Sequence, residues 1–310
     1  MKSRSEPFGA IVEIETPRAL IFVGERLARL MGHDEPPRIP AHQPADQLSA
    51  PIEAHLVITR KCQEKCPGCY VDAVPDPGPE LDLQAWKRVI DDLAKMRVFH
   101  VALGGGESLE LPWLLELAEH ARSKGVTPNL TTNGLQVTDR ETARQLRVFG
   151  QINVSVDGMP ARHQRARGGD SFDRAIAALR LLREQKRHVG INCVVTRETF
   201  EDLDAMASLC KSLDLSELEL LRFKPAGRGT RLWDKARCTD AQHRAFLPTL
   251  LDLTKRHRVR IKVDCSYVPM IAAHEPDPEV LRGFGVVGCE ATNWLMAMMR
   301  SPRASSSPPS

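Results

Sequence analysis

AHLVITRKCQEKCPGCYVDA, residues 54–73, reads as an apolar, β-branched run that breaks into a loop carrying Cys62, Cys66 and Cys69 within eight residues. Three thiolates on one tight loop can hold three irons of a four-iron cluster. Cluster ligation normally takes four Cys, so a site supplying three leaves one iron open to a small molecule. Zinc also accepts short Cys spacings, but it takes a fourth ligand, and no Cys or His occurs between Tyr70 and Phe99. A disulfide framework fits worse, because three thiols so close cannot all pair. This segment favours a cluster and leaves zinc and incidental cysteines open.

Working outward, 310 residues with 42% hydrophobic content suffice for a substantial core, so one large domain with a smaller appendage is expected. A formal charge of +3 is too small to point to nucleic acid. The densest basic run, ARHQRARGG, is better explained as part of a small-molecule site. The N-terminus MKSRSEPFGAIVEIE has no uninterrupted apolar segment, and no run reaches the length of a membrane span. Eight Cys, three of them crowded together, suit a reducing compartment, so a cytoplasmic protein is expected, with neither membrane nor nucleic-acid partner.

Before the cysteines, FGAIVEIE and ALIFV read as two short strands turned at Thr16-Pro17-Arg18, followed by the helix-like GERLARLMG, together an N-terminal extension over 1–34. Residues 35–51, with Pro36, Pro37, Pro40, Pro44 and Pro51, read as an extended linker. From there to about residue 223, apolar runs alternate with amphipathic segments of helical period. Six strands are predicted, at His55–Thr59, Phe99–Leu103, Pro128–Thr132, Ile152–Val156, Gly190–Thr196 and Leu218–Phe223. The intervening helices include Leu83–Met96, with Trp86, Val89, Ile90 and Leu93 on one face behind an Asp82 cap, and Phe172–Glu184. Crossovers of this length return the chain parallel, giving a parallel α/β barrel or a doubly wound sheet, with the ligand site at the C-terminal ends of the strands.

The loops at those ends carry the chemistry. The three Cys follow the first strand, Gly104-Gly105-Gly106-Glu107 the second, Thr131-Thr132-Asn133-Gly134 the third, and Ser155-Val156-Asp157-Gly158 the fourth. Glycines permit close approach of backbone to ligand, Glu107 offers a carboxylate to a cation, and Ser155 and Asp157 suit ribose or amino-acid groups. Each alone could be an ordinary turn with a helix cap. Four polar loops at four successive strand ends are hard to attribute to turn chemistry.

On these residues the chain resembles the radical S-adenosylmethionine (SAM) superfamily over residues 52–230, in the branch with C-terminal auxiliary-cluster (SPASM or twitch) domains. The three Cys match the superfamily spacing, and Gly105-Gly106-Glu107-Ser108 matches its Gly-Gly-Glu-Pro element. Asn133, Ser155 and Asp157 fall where the family places further SAM contacts, and RARGGDSFDRAIAAL and Phe223–Gly229 resemble the family's later segments. The resemblance implies a partial parallel (β/α)6 barrel of the TIM type and a [4Fe-4S] cluster on Cys62, Cys66 and Cys69. It further implies SAM contacts by Gly105, Gly106, Glu107, Asn133, Ser155 and Asp157, with Arg167 facing the SAM carboxylate. Two positions depart from the pattern: Gly68 stands where an aromatic residue or His usually precedes the third Cys, and Ser108 replaces Pro. Any side-chain packing on adenine from position 68 has to come from elsewhere.

The implied activity is that of an oxidoreductase. One-electron cleavage of SAM to methionine and a 5′-deoxyadenosyl radical is followed by hydrogen abstraction, with the electron coming from a flavodoxin- or ferredoxin-like donor. A ribosomally made peptide or a protein is the implied substrate; cofactor biosynthesis and a non-catalytic iron–sulfur or zinc protein are the alternatives. Residues 231–299 resemble a SPASM/twitch region in which Cys265 and Cys289 sit at auxiliary-ligand positions. No further Cys follows, so a truncated region without a full auxiliary cluster is expected, ending in a disordered tail at 300–310. Cys193 and Cys210 read as buried packing residues, and Cys238 has no assigned role.

Overall fold

Strand residues alternate between two environments, and that alternation builds the molecule. The structure, a computed structural model, describes residues 2–15, 18–33, 48–185, 188–277, 280, 283–284 and 294–297, with 15, 18 and 294–297 described by backbone alone. Strands β1 (Lys2–Glu6), β2 (Gly9–Glu15) and β3 (Arg18–Gly24) form an antiparallel sheet in the order β1-β2-β3. Strands β4 (Glu53–Thr59), β5 (His100–Gly105), β6 (Thr127–Thr132), β7 (Gln151–Ser155), β8 (His188–Val195), β9 (Glu217–Arg222), β10 (Ile261–Val263) and β11 (Trp294–Ala297) form one parallel sheet. Its order is β10-β9-β8-β7-β6-β5-β4-β11. From β4 to β10 the spatial order follows the chain without reversal, which is barrel topology; a doubly wound sheet reverses at a switch point.

The six predicted strands are β4 to β9. The sheet adds β10 and β11 at its two edges, and β1 joins the N-terminal pair. The polar segment KSRSE of β1 shows no apolar alternation because its buried positions are Arg4 and Glu6. Three-residue β10 is too short to carry a period. The Pro-rich linker falls mostly, and Cys289 and the 300–310 tail wholly, outside the described residues. Among the described residues, no helix is long and apolar enough to cross a membrane.

The outer face of the sheet is apolar. Ala54, Leu56 and Ile58 of β4 are at most 2% exposed. They share a core with Trp86, Ile90 and Leu93 of the helix Leu83–Lys95, whose N-cap Asp82 accepts from the Ala85 amide at 2.8 Å. Helix Phe172–Glu184 buries Ile176, Leu179 and Leu182, and Cys193 and Cys210 are fully buried in the same core. Burying each such Leu or Ile contributes about 1.5–3 kcal/mol.

The inner face is polar. His55, Asn129, Asn153, Asn192, Glu219 and Lys262 alternate with those apolar residues and line a cavity inside the curled sheet. Asn153 Nδ2 donates to Asn192 Oδ1 at 2.7 Å and to Glu219 Oε2 at 2.8 Å, while Lys262 Nζ lies 3.2 Å from Glu219 Oε1. Burial opposes the Lys262 charge, but Glu219, Glu217 and Glu53 outweigh it and hold its pKa above the ordinary value. Glu53 belongs to β4, so these charges link β10 at one edge of the open sheet to β4, next to the other edge, across its interior. The N-terminal sheet covers the base: Arg4 donates to the carbonyls of Ala50, Pro51 and Arg97, and Lys2 to those of Val98 and Gly125.

Candidate functional site

The cysteine loop leaves β4 and is shaped by its own backbone and by two neighbouring loops. Cys62 N donates to Val74 O and Val74 N to Arg60 O, both at 2.9 Å, which closes the loop at its neck. The loop after β5 then docks against that neck, with Gly106 N donating to Thr59 O at 2.8 Å and Glu107 N to Lys61 O at 2.7 Å. A Cβ at Gly105 would stand 2.2 Å from Thr59 O, and one at Gly106 would stand 2.1 Å from Lys61 O. These two glycines therefore serve the approach of one loop backbone to the other, whatever their role toward a ligand. From the far side Arg228 closes the clamp: its amide donates to Cys69 O at 3.0 Å, Nε to Cys66 O at 3.0 Å and Nη1 to Ala73 O at 2.6 Å.

One cavity of about 1080 Å³ runs from this loop down to the N-terminal sheet, at the upper end of the roughly 300–1,000 Å³ of ligand pockets. Cys62, Cys66, Cys69, Gly105, Gly106, Glu107, Asn133, Ser155, Asp157 and Arg167 all line it, and so does Cys265 beyond β10. The structure thus brings every sequence-predicted site residue within the described chain to one wall system. Cys238 is buried in the core instead.

Several of these groups are already engaged. Glu107 is 1% exposed: Oε1 accepts from Thr132 Oγ1 at 2.7 Å and from Leu109 N at 3.1 Å, and Oε2 from Asn133 N at 2.7 Å. Burial raises its pKa, opposed by those donors. Glu107 thereby ties the β5 loop to the β6 loop, keeping on Oε2 the capacity for one further donor. Asp157 accepts from Val194 N at 2.7 Å and from Arg167 Nη1 at 3.3 Å, so its carboxylate faces the guanidinium expected to meet a ligand carboxylate. Arg167 ends the helix Pro160–Arg167. Burial disfavours its charge, but Cys66, Asp157 and Glu64 overcome that and raise its pKa.

Beneath them lies His163, 1% exposed, whose Nδ1 accepts from Asp157 N at 3.2 Å and whose Nε2 meets Ser171 Oγ at 3.1 Å. Burial lowers its pKa to about 4, so the ring is neutral and the Asp157 contact fixes the Nε2–H tautomer. The thiols shift the other way. Burial pushes Cys62 up to about 12, with the nearby Glu107 and Cys66 adding to the rise, and burial also raises Cys66 against the pull of Arg167.

The donor set fits a three-Cys iron–sulfur site. The three thiols are unpaired, share one loop, and face a cavity in which Glu64 of the same loop keeps a buried Oε2 with no hydrogen-bond partner. Metal loading then has to displace thiol protons. Sequence reasoning missed Arg228, His163 and the lumen residues His55, Asn153, Asn192, Glu219 and Lys262. A signal for the last group was present: polar residues recurring at alternate positions of apolar strands mark one solvated face. Arg228 and His163 act through carbonyls and amides brought together by the fold, which no local spacing announces.

Comparison with known proteins agrees with this architecture. Mycofactocin maturase MftC of Mycolicibacterium smegmatis is 33% identical over 208 residues, covering 66% of this chain and 53% of the relative. Fe-coproporphyrin III synthase of Methanosarcina barkeri is 31% identical over 179 residues, covering 56% and 45%. The chain thus spans about half the length of these relatives. In fold it is similar to Streptococcus suis SuiB bound to precursor peptide SuiA, with a TM-score of 0.71 at 16% identity over 95% of this chain and 79% of that one. A family model described as the radical SAM superfamily matches residues 56–210, half of the 310 residues, and the chain belongs to that superfamily.

Proposed function

We propose that Cys62, Cys66 and Cys69 hold a [4Fe-4S] cluster whose fourth iron binds SAM, and that the chain uses this pair to abstract hydrogen from a peptide or protein. The observation that carries this reading is the convergence of the three thiols with Glu107, Asn133, Ser155, Asp157 and Arg167 on one cavity. When bound, the cluster and SAM supply reductive cleavage of the sulfonium C–S bond by one electron, giving methionine and a 5′-deoxyadenosyl radical. The protein contributes placement. The Arg228 clamp and the Gly105–Gly106 docking hold the thiols at the cavity mouth, the free acceptor site on Glu107 receives an ammonium, and Arg167 receives a carboxylate. Ser155 and Asp157 offer oxygens to ribose. The electron comes from a flavodoxin- or ferredoxin-like protein.

Peptide modification is supported by the likeness to mycofactocin maturase MftC and to SuiB bound to its precursor peptide SuiA. A second reading, cofactor biosynthesis on a tetrapyrrole, is supported by the Fe-coproporphyrin III synthase relative. Of the two candidate auxiliary ligands, Cys265 stands on the cavity wall and Cys289 lies outside the described residues. Anaerobic reconstitution followed by SAM and dithionite tests the core of the proposal: 5′-deoxyadenosine should form, and Cys66→Ala should abolish it. Formation of 5′-deoxyadenosine at the wild-type rate by Cys66→Ala would sink the cluster assignment. Titration with coproporphyrin, read by its absorption band, separates the two substrate classes.

A further inference from the structure

The wall beside the cysteine loop holds an aromatic ring that the loop itself lacks. Phe223 lies just past β9, is 6% exposed and lines the cavity. A Cβ built on Gly68 would stand 2.7 Å from Phe223 Cε2, and one on Gly229 would stand 3.4 Å from Phe223 Cζ. The ring is therefore seated in a slot between two glycines, one from each of the two loops that Arg228 joins. Behind it Trp233 stacks with ring centroids 6.2 Å apart and planes 14° apart. Gly68 has no positive φ, so its backbone does not demand glycine. What demands it is the Phe223 ring.

Resting on the cluster-and-SAM reading above, we infer that Phe223 is the aromatic face for the adenine of SAM in this chain, and that Gly68 and Phe223 form a size-complementary pair. A purine lying along the cavity wall next to the cysteine loop meets a π-face only if some ring stands there, and stacking on such a ring requires no hydrogen-bond readout of the base. With no side chain at position 68, the ring reaches the wall from β9. The same space cannot hold two rings, so a large residue at 68 and Phe at 223 exclude each other.

The test uses the full chain, reconstituted anaerobically, with SAM, 5′-deoxyadenosine and L-methionine titrated separately by calorimetry. Phe223→Leu keeps apolar bulk and loses the ring; it should bind SAM and 5′-deoxyadenosine about tenfold more weakly, with L-methionine affinity and iron content unchanged. Gly68→Phe alone should also weaken SAM binding by displacing the ring. Gly68→Phe combined with Phe223→Ala should recover SAM affinity to within about threefold of wild type, a non-additive pair of the kind expected for residues in contact. Unchanged SAM affinity in Phe223→Leu overturns the inference while leaving the proposed function standing. Equal losses for SAM and L-methionine overturn it too, because a ring that only shapes the loop would act on both. Wild-type protein that holds iron but binds no SAM overturns both.

Discussion

The two ends of the cavity are held shut by the same kind of bond, a cationic side chain donating to backbone carbonyls, yet they differ in what the bond holds. At the mouth, Arg228 donates to Cys66 and Ala73 carbonyls of a loop that has no regular structure of its own. At the base, Arg4 and Lys2 donate to carbonyls in the turns that lead into β4, β5 and β6. Removing the first bond should loosen a ligand loop on a barrel that stays folded. Removing the second should loosen the barrel's foundation under a loop that keeps its shape. The comparison separates the elements that make the site from those that make the scaffold.

The largest effect is expected at the base. Arg4 Nε donates to Glu6 Oε1 at 2.6 Å, both side chains being at most 4% exposed, and the guanidinium also stands 5.2 Å over the Phe99 ring. Arg4→Ala leaves Glu6 buried beside Ser49 N with its cation gone, and breaking such a pair costs about 3–5 kcal/mol. Urea unfolding should show that loss, while the fraction still folded takes up iron as wild type does. Loss of iron from folded Arg4→Ala would erase the distinction between the two ends.

Arg228→Ala is next. Its side chain is 27% exposed, so solvent screening reduces what its bonds are worth, and the expected cost is about 2–3 kcal/mol. The informative readout is iron per chain after anaerobic reconstitution, which should fall well below wild type although far-UV circular dichroism is unchanged. Arg228→Lys should not rescue it, since one ammonium cannot reach the Cys66 and Ala73 carbonyls with the geometry of the planar fork.

The two ends also answer differently to pH. At the mouth, the His163 pKa is lowered from 6.5 to about 4 by burial, so as pH falls through that window the unfolded chain takes up a proton that the folded chain refuses. Stability contributed there is present above about 6.5 and is lost toward about 4. At the base, burial lowers Lys2 from 10.5 to about 8, with Arg4 and Arg97 assisting and Glu13 opposing. Between about 8 and 10.5 the unfolded chain again holds the extra proton, so stability rises with pH across that window. Urea titrations in both windows check the signs: His163→Gln should flatten the acid limb and Lys2→Met the alkaline one.

The same contrast explains how much was legible in the sequence. Six strands, the Asp82-capped helix and the Phe172–Glu184 helix follow from periodicity, because each buries one apolar face. The mouth loops were legible because their residue types are rare in combination: three Cys in eight residues, three glycines before a Glu. The base was not. Strand β1 buries Arg4 and Glu6, the reverse of the pattern that identifies a strand, and Lys2 looks like any surface lysine until Val98 and Gly125 are brought beneath it. Glu107 lies between these cases. Its placement on the cavity was expected, whereas its three intramolecular donors come from tertiary contacts with the β6 loop and a helical turn of its own.

The smallest expected effect lies where this chain departs from its superfamily's pattern. Ser108 opens the 3-10 turn Ser108–Glu110 directly after Glu107. It is fully buried, and its hydroxyl has no hydrogen-bond partner. The residue is packed in place, and what it adds is a polar atom whose desolvation no hydrogen bond offsets. Glu107 already serves as the N-cap of that turn by accepting from Leu109 N, so the Ser108 hydroxyl has no capping role left to fill. Ser108→Ala removes the unmatched group at the cost of one small oxygen-sized void, and a stability gain of about 1 kcal/mol is expected. The gain should appear as a higher urea midpoint with an unchanged slope. Iron uptake should stay constant, because the cysteine loop contacts Gly106 and Glu107 through their backbone amides and does not depend on the hydroxyl. A lower midpoint would mean that the hydroxyl is satisfied in solution, and that the mouth is more fully hydrogen-bonded than its side chains alone provide.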